Sequence, residues 1–173
     1  MPRSEDAYFA MGCFWGAERL MWSQPGVIST TVGYMGGTTK NPTYEQVCTG
    51  LTGHAETVHV VFDPDQTSFE NLCKVFFENH DPTQLNRQGN DRGTQYRSAI
   101  FPHTPEQQES ATQIAQSMNQ LTQDKMGAPT VTIIDSGKHP FYPAEEYHQK
   151  YLQKNPLGYC NLRENGLTCP IPS

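Results

Sequence analysis

The chain has no C-x-x-C pair, no two histidines at H-x-x-x-H spacing and no internal repeat. Structural zinc usually draws on ligand pairs about two to four residues apart, and helical metal sites on i, i+4 histidines, so no metal centre is expected. No apolar run approaches the roughly 20 residues of a membrane span. The first residues, Met1-Pro2-Arg3-Ser4-Glu5-Asp6, are charged and short, unlike a signal peptide. Basic residues are few: 12 Lys and Arg against 18 Asp and Glu give a net charge of −6, without the basic clusters of a nucleic-acid surface. The five cysteines, Cys13, Cys48, Cys73, Cys160 and Cys169, are odd in number and lack an export signal, which argues against a secreted disulfide framework. These absences lead us to expect a soluble, cytoplasmic monomer in a reducing compartment, with neither nucleic acid nor membrane as a partner.

Hydrophobic residues make up only 35% of the 173, and 14 glycines with 13 prolines call for many loops. No linker divides the chain, so 1–173 reads as a single domain able to bury its own core. A short aromatic strand ending at Gly12 precedes a helix over about 14–24, closed by the Pro25-Gly26 turn. Strands are expected over 27–34, 54–63, 96–101 and 130–134. Thr43 caps a short helix over 44–48, Ser68 opens another, and Thr104-Pro105-Glu106 starts a long one to about 124. A last helix is expected over 143–152. Phe69, Leu72, Cys73 and Phe76 share one helical face, which makes Cys73 a core residue. The long polar stretch 79–95 has anchored ends and reads as an ordered loop over a site. This order predicts an α+β fold, a two-layer α/β sandwich with a mixed sheet, a ferredoxin-like core and a coil-rich C-terminal tail. The tail, about 155–173, reads as mobile coil carrying Cys160 and Cys169.

Gly12-Cys13-Phe14-Trp15-Gly16 is the stretch with the most chemistry. A cysteine at a strand-to-helix turn meets unpaired backbone N–H groups and the positive end of the helix, a setting that can lower a thiol toward neutrality. The same cysteine also reads as a buried structural residue. A nucleophilic thiol needs a proton-handling partner. Glu56 lies in an apolar strand, where burial would keep it protonated as an acid; a solvent-facing position on an edge strand is the other reading, and its flanks do not decide. Tyr44 and Tyr96 offer phenols, and Asp91 lies in the polar loop; each alone is more often structural. Any of the six histidines could serve a cysteine hydrolase, although the papain-like and caspase signatures are absent. A redox sensor or binding module is the non-enzymatic reading. Distal thiols suit a redox enzyme whose sulfenic acid needs a resolving partner, and a hydrolase has no use for them.

Five stretches together carry a resemblance: Gly12 to Gly16; Asn41-Pro42-Thr43-Tyr44; Gly53-His54-Ala55-Glu56; His80-Asp81-Pro82-Thr83-Gln84 through Gly93-Thr94-Gln95-Tyr96-Arg97-Ser98; and Ala144-Glu145-Glu146-Tyr147-His148-Gln149. In this order, and from about Phe9 to Cys160, the chain resembles the A-type peptide methionine sulfoxide reductases. The resemblance implies reduction of methionine-S-sulfoxide, free or peptide-bound, with thioredoxin (or dithiothreitol in vitro) as reductant and no bound cofactor. It implies Cys13 as nucleophile, Glu56 as the acid that protonates the sulfoxide oxygen, Tyr44 and Tyr96 as phenols bound to that oxygen, and Asp91 as a polar neighbour. Phe14 and Trp15 correspond to the pocket for the S-methyl group. Cys160 corresponds to the resolving cysteine and Cys169 to a second, recycling one. Where the family tail is often glycine-rich, this chain has Arg163-Glu164-Asn165, so direct reduction of a Cys13–Cys160 bond by thioredoxin is a second route.

Overall fold

The computed structural model describes residues 3–160, 162 and 164–171. In chain order the elements are β1 (Glu5–Met11), α1 (Phe14–Trp22), β2 (Val27–Met35), α2 (Tyr44–Cys48), β3 (Ala55–Phe62), α3 (Phe69–Glu78), β4 (Arg87–Gln88), β5 (Asp91–Arg92), β6 (Ser98–Ile100), α4 (Pro105–Met126), β7 (Ile133–Ile134), β8 (Tyr142–Pro143) and α5 (Tyr151–Lys154). Short 3-10 turns cover Thr94–Tyr96 and Glu146–His148. The main sheet runs β7-β6-β1-β3-β2-β8, antiparallel except for the parallel pair β6–β7. Its centre, β6-β1-β3-β2 with α1 and α3 as crossovers, is the expected ferredoxin-like arrangement in a mixed sheet.

The period-2 alternation of β1 and β3 sets the layers. Ala7, Phe9 and Met11 from β1 and Val58, Val60 and Phe62 from β3 join Ala17 and Met21 of α1, Leu72, Cys73 and Phe76 of α3, and Ala111, Ile114 and Met118 of α4 in one core. Ala10, Ala55, Ala99 and Phe101 form a smaller cluster on the opposite side of the strands. Hydroxyl caps begin the helices as the sequence suggests: Ser68 accepts from the Asn71 N–H at 3.0 Å and Thr104 from the Gln107 N–H at 3.1 Å. Among the described residues, no helix is long and apolar enough to cross a membrane.

Three expectations change. Segment 143–152 is not one helix; it is the end of β8, a 3-10 turn and α5. Its polar side chains bind elsewhere: the Gln149 amide pairs with the Val32 backbone at 2.9 Å in both directions, and Lys150 turns to a left-handed φ of 53°. Only Ile133–Ile134 of the strand expected over 130–134 is paired. The tail, read as mobile, is coil laid on the core across its described residues. Asn165 explains why: its side-chain amide donates to the carbonyls of Phe77 (2.6 Å) and His80 (2.8 Å), satisfying acceptors at and beyond the end of α3. Leu162, Leu167 and Ile171 then pack on the apolar cluster; Arg163 lies outside the described residues.

The polar stretch 79–95 is ordered around the β4–β5 hairpin. The Gln88 amide clamps the Asp81 backbone, accepting from its N–H and donating to its carbonyl at 2.9 Å each. A side chain on Gly12 would come within 2.9 Å of Gln88, and Gly12 has a φ of 104°, so this loop closes directly over the turn before Cys13.

Candidate active site

Cys13 is the N-cap residue of α1, with φ −58° and ψ 123°. The amides of Trp15 and Gly16 reach its sulfur. The next amide along the chain from Cys13, that of Phe14, donates to Glu56 Oε1 at 3.1 Å. Glu56 shares the helix-covered face of β3 with Val58, Val60 and Phe62, and β3 lies between β1 and β2. The carboxyl is therefore buried, at 2% exposure, beneath the head of α1. Its second oxygen, Oε2, has no hydrogen-bond partner among the described residues. Burial raises its pKa to about 8, with the Phe14 N–H opposing and the nearby Asp91 charge adding to the rise. At neutral pH this acid keeps its proton.

The thiol departs from the sequence expectation. Burial pushes Cys13 well above the ordinary thiol range, and the Glu56 charge acts the same way; the Trp15 and Gly16 amides pull downward and lose. Dehydration at 8% exposure outweighs the helix end. The resting site thus holds a neutral thiol beside a neutral acid.

Tyr44 opens α2 and Tyr96 closes the 3-10 turn after β5. Both phenols are held above their ordinary pKa. Burial leads in each; the Cys48 hydrogen bond and then Glu56 add for Tyr44, and the Glu56 charge for Tyr96. Both are donors at any physiological pH. Asp91, also raised by burial, accepts from the Tyr159 hydroxyl at 3.1 Å. Phe14 is buried against Tyr34 and His148, with ring centres 5.7 and 5.1 Å away. Trp15 is only half-buried and stacks on Tyr151 at 3.7 Å.

Of the distal thiols, one reaches this place. A methyl on Gly16 would stand 2.6 Å from Cys160 Sγ, and Gly16 lies one helical turn after Cys13 on the same face. Cys169 is elsewhere, 2% exposed in the core beside Cys73, with its pKa pushed up to about 12 by burial and Glu78. Sequence reasoning gave no role to Glu145, whose two oxygens accept from the Tyr34 hydroxyl at 2.8 Å and the Tyr44 amide at 2.9 Å. Burial would raise this carboxyl, but those donors hold it below its usual value. Cys48, taken as structural, meets the Tyr44 phenol at the rim of the site. The motif around 145 was visible, yet no spacing pairs residues a hundred positions apart. No three His, Cys, Asp or Glu side chains among the described residues gather as a metal-binding group.

Two thiols at one helix head, next to an acid that holds its proton at neutral pH, place the protein by class among the thiol oxidoreductases. The family model described as peptide methionine sulfoxide reductase matches residues 5–168, and the chain belongs to that family, in its A-type branch. The chain is 56% identical over 170 residues to peptide methionine sulfoxide reductase MsrA of Rhodospirillum centenum, covering 98% of this chain and 77% of that one. Methionine sulfoxide reductase A of Corynebacterium diphtheriae superposes with a TM-score of 0.87 at 44% identity, over 100% of this chain and 85% of the other. Mxr1 of Saccharomyces cerevisiae in reduced form gives 0.83 at 37% identity, over 94% and 93%. Reduction of methionine sulfoxide is accordingly the activity of this chain.

Proposed function

We propose that the enzyme reduces the S epimer of methionine sulfoxide, free or within peptides and proteins, and that Cys13, Glu56 and Cys160 carry the chemistry. The observation that carries this reading is the Glu56 carboxyl: protonated, anchored by the amide that follows Cys13, and with one oxygen unpartnered. A sulfoxide is a poor electrophile until its oxygen takes a proton, and Glu56 supplies that proton. The Tyr44 and Tyr96 hydroxyls bind the same oxygen. Trp15 forms the wall of the S-methyl pocket, with Phe14 behind it, and the Asp91–Tyr159 pair is its polar rim.

In the first step Cys13 sulfur attacks the sulfoxide sulfur while Glu56 protonates its oxygen and takes up the thiol proton in return. The hydroxyl so formed passes from the substrate sulfur to Cys13 sulfur, and the new S–S bond breaks with its electron pair staying on the methionine sulfur. The products are methionine, two electrons richer at sulfur, and a Cys13 sulfenic acid. Cys160 then displaces hydroxide from that sulfenic acid; with its thiol proton this leaves as water, and a Cys13–Cys160 disulfide remains. A dithiol reductant, for which we propose thioredoxin, returns both thiols and leaves oxidised. Yeast Mxr1 has itself been solved in complex with Trx2. Cys169 is the further recycling thiol; to attack the disulfide, its segment has to leave the core.

The test is turnover of the separated epimers with dithiothreitol. Reduction of the S form is expected; turnover of the R form alone, or of neither, would overturn the stereochemical assignment.

Gly16→Ala probes the Cys13–Cys160 geometry independently. Its methyl would occupy space 2.6 Å from Cys160 Sγ and 3.4 Å from the Leu162 side chain, so the thiol has to move by about 1 Å. Methionine release in a single turnover is expected to survive, while disulfide closure slows by up to about 10²-fold. Quenched-flow thiol counting separates the two, and unaltered closure would remove Cys160 from its assigned place.

A further inference from the structure

Cys160 and Cys169 are close in the chain, yet the fold sends them to different places. Cys160 lies against Gly16 of α1, whereas Cys169 is buried in the core beside Cys73 of α3. The tail is tied at two points to the end of α3. Asn165 is the first. Its backbone N–H donates to the Glu78 carbonyl at 2.9 Å, and its amide nitrogen to the carbonyls of Phe77 (2.6 Å) and His80 (2.8 Å). Its amide oxygen accepts from the Leu167 N–H at 2.9 Å, which folds the next residues back onto the core. Glu78 is the second point: its carboxylate, paired with the Lys74 ammonium, accepts from the Cys169 N–H at 2.7 Å.

We propose that Asn165 and Glu78 form a latch that withholds Cys169 while Cys160 resolves the Cys13 sulfenic acid, and that opening of this latch limits passage of the disulfide to Cys169. This rests on the reading of Cys169 as the recycling thiol. The last carbonyls of a helix have no partners within it, so the tail docks where α3 offers unmet acceptors. The Asn165 side chain meets two carbonyls at once, at and just beyond that helix end. A glycine at 165 would have only its backbone N–H to offer.

In the docked state Cys169 is no nucleophile. Burial and then the Glu78 charge keep its proton on, with Lys74 opposing, and at 2% exposure a disulfide cannot approach it. Of the two tail thiols, Cys160 alone then attends the sulfenic acid, which fixes the order of the two exchanges. Once the latch opens and water reaches the sulfur, the Cys169 thiolate attacks Cys160 Sγ. The Cys160–Cys169 bond forms as the Cys13–Cys160 bond breaks. Cys13 leaves as thiolate and takes up one proton for the one Cys169 lost, so no further oxidant is needed. Reduction of the Cys13–Cys160 bond by thioredoxin itself does not call on Cys169, and the latch thereby divides recycling between two routes.

The test compares the wild type with Asn165→Gly and Asn165→Asp. Aspartate has the shape of asparagine and still accepts from Leu167, but it cannot donate to the two carbonyls and sets a charge against them. Maleimide labelling of the reduced proteins, read by peptide mass spectrometry, is expected to modify Cys169 about tenfold faster or more in both variants. Amide exchange of β1 and β3 should stay unchanged, which marks the opening as local. With one equivalent of methionine sulfoxide and no reductant, disulfide maps of quenched samples follow the exchange. Methionine release and Cys13–Cys160 closure are expected at wild-type rates, and conversion to Cys160–Cys169 is expected to speed up by the factor seen in labelling. Cys169 labelling within twofold of the wild type in both variants, faster labelling only in Asn165→Gly, or faster labelling without faster conversion would each overturn the proposal. No Cys160–Cys169 bond in any of the three proteins would instead remove the recycling reading of Cys169, and the exchange half of the proposal with it; the labelling rates would still decide whether Asn165 holds the tail.

Discussion

Glu56→Gln is expected to slow sulfoxide reduction by about 10²–10⁴-fold while making the protein more stable at neutral pH. Glutamine can occupy the same space, accept from the Phe14 amide and donate a hydrogen bond to the sulfoxide, but it has no proton to give up. The stability gain follows from the raised acid. In the folded protein Glu56 has a pKa of about 8 against an unfolded value of 4.5. Below pH 4.5 both states are protonated and the carboxyl costs nothing extra. As the pH rises from 4.5 toward 8 the unfolded state ionises and the folded state does not, so stability is progressively lost. At pH 7 that loss is on the order of 3 kcal/mol, and the uncharged variant does not incur it. Urea midpoints at pH 4.5 and 7.5 should therefore coincide with the wild type at the lower pH and exceed it at the higher. For the wild type, the acid-dependent rate should fall as pH rises past about 8, and that limb should vanish in the variant. A rate within threefold of the wild type would remove Glu56 as the acid.

Cys160→Ser is expected to release one methionine per chain and then stop when thioredoxin is the reductant. Its Cys13 remains beside Glu56, so the first step is intact. The thiol that lies against Gly16 is gone, and a hydroxyl cannot close the disulfide. Mass spectrometry after one turnover should find the extra oxygen on Cys13. Dithiothreitol, small enough to reach the sulfenic acid directly, should restore cycling. Cys169→Ser is the contrasting variant. Its thiol is buried away from the Cys13–Cys160 pair, and thioredoxin-driven turnover is expected to continue at a reduced rate. Unchanged thioredoxin turnover in Cys160→Ser would overturn the resolving role.

These two variants also mark where reading the sequence stopped. The cysteine at the strand-to-helix turn was legible because Gly12 ends an aromatic strand and good helix formers follow. Cys73 was legible as core because its neighbours recur at helical spacing, and it is fully buried. Glu56 was not settled: alternation puts it in line with Val58, Val60 and Phe62, but not whether that strand is central. The sheet order answers this, since β3 has neighbours on both edges and α1 above it. The segment after β8 misled for the opposite reason. Pro143 to Leu152 has local helix preference, yet Glu145, Gln149 and Lys150 spend their polar groups on Tyr34, Tyr44, Val32, Glu18 and Thr30, more than a hundred positions away, and Gln149 also donates to Ala144.

By itself the sequence determined the order of the longer strands and helices up to α4, the thiol at the head of a helix and the family motifs, because these depend on short-range pattern and composition. The ionisation state of the site was decided only by tertiary structure. Cys13 and Glu56 are both neutral because the sheet, α1 and the β4–β5 loop exclude water from them, and dehydration is a property of everything packed around a group.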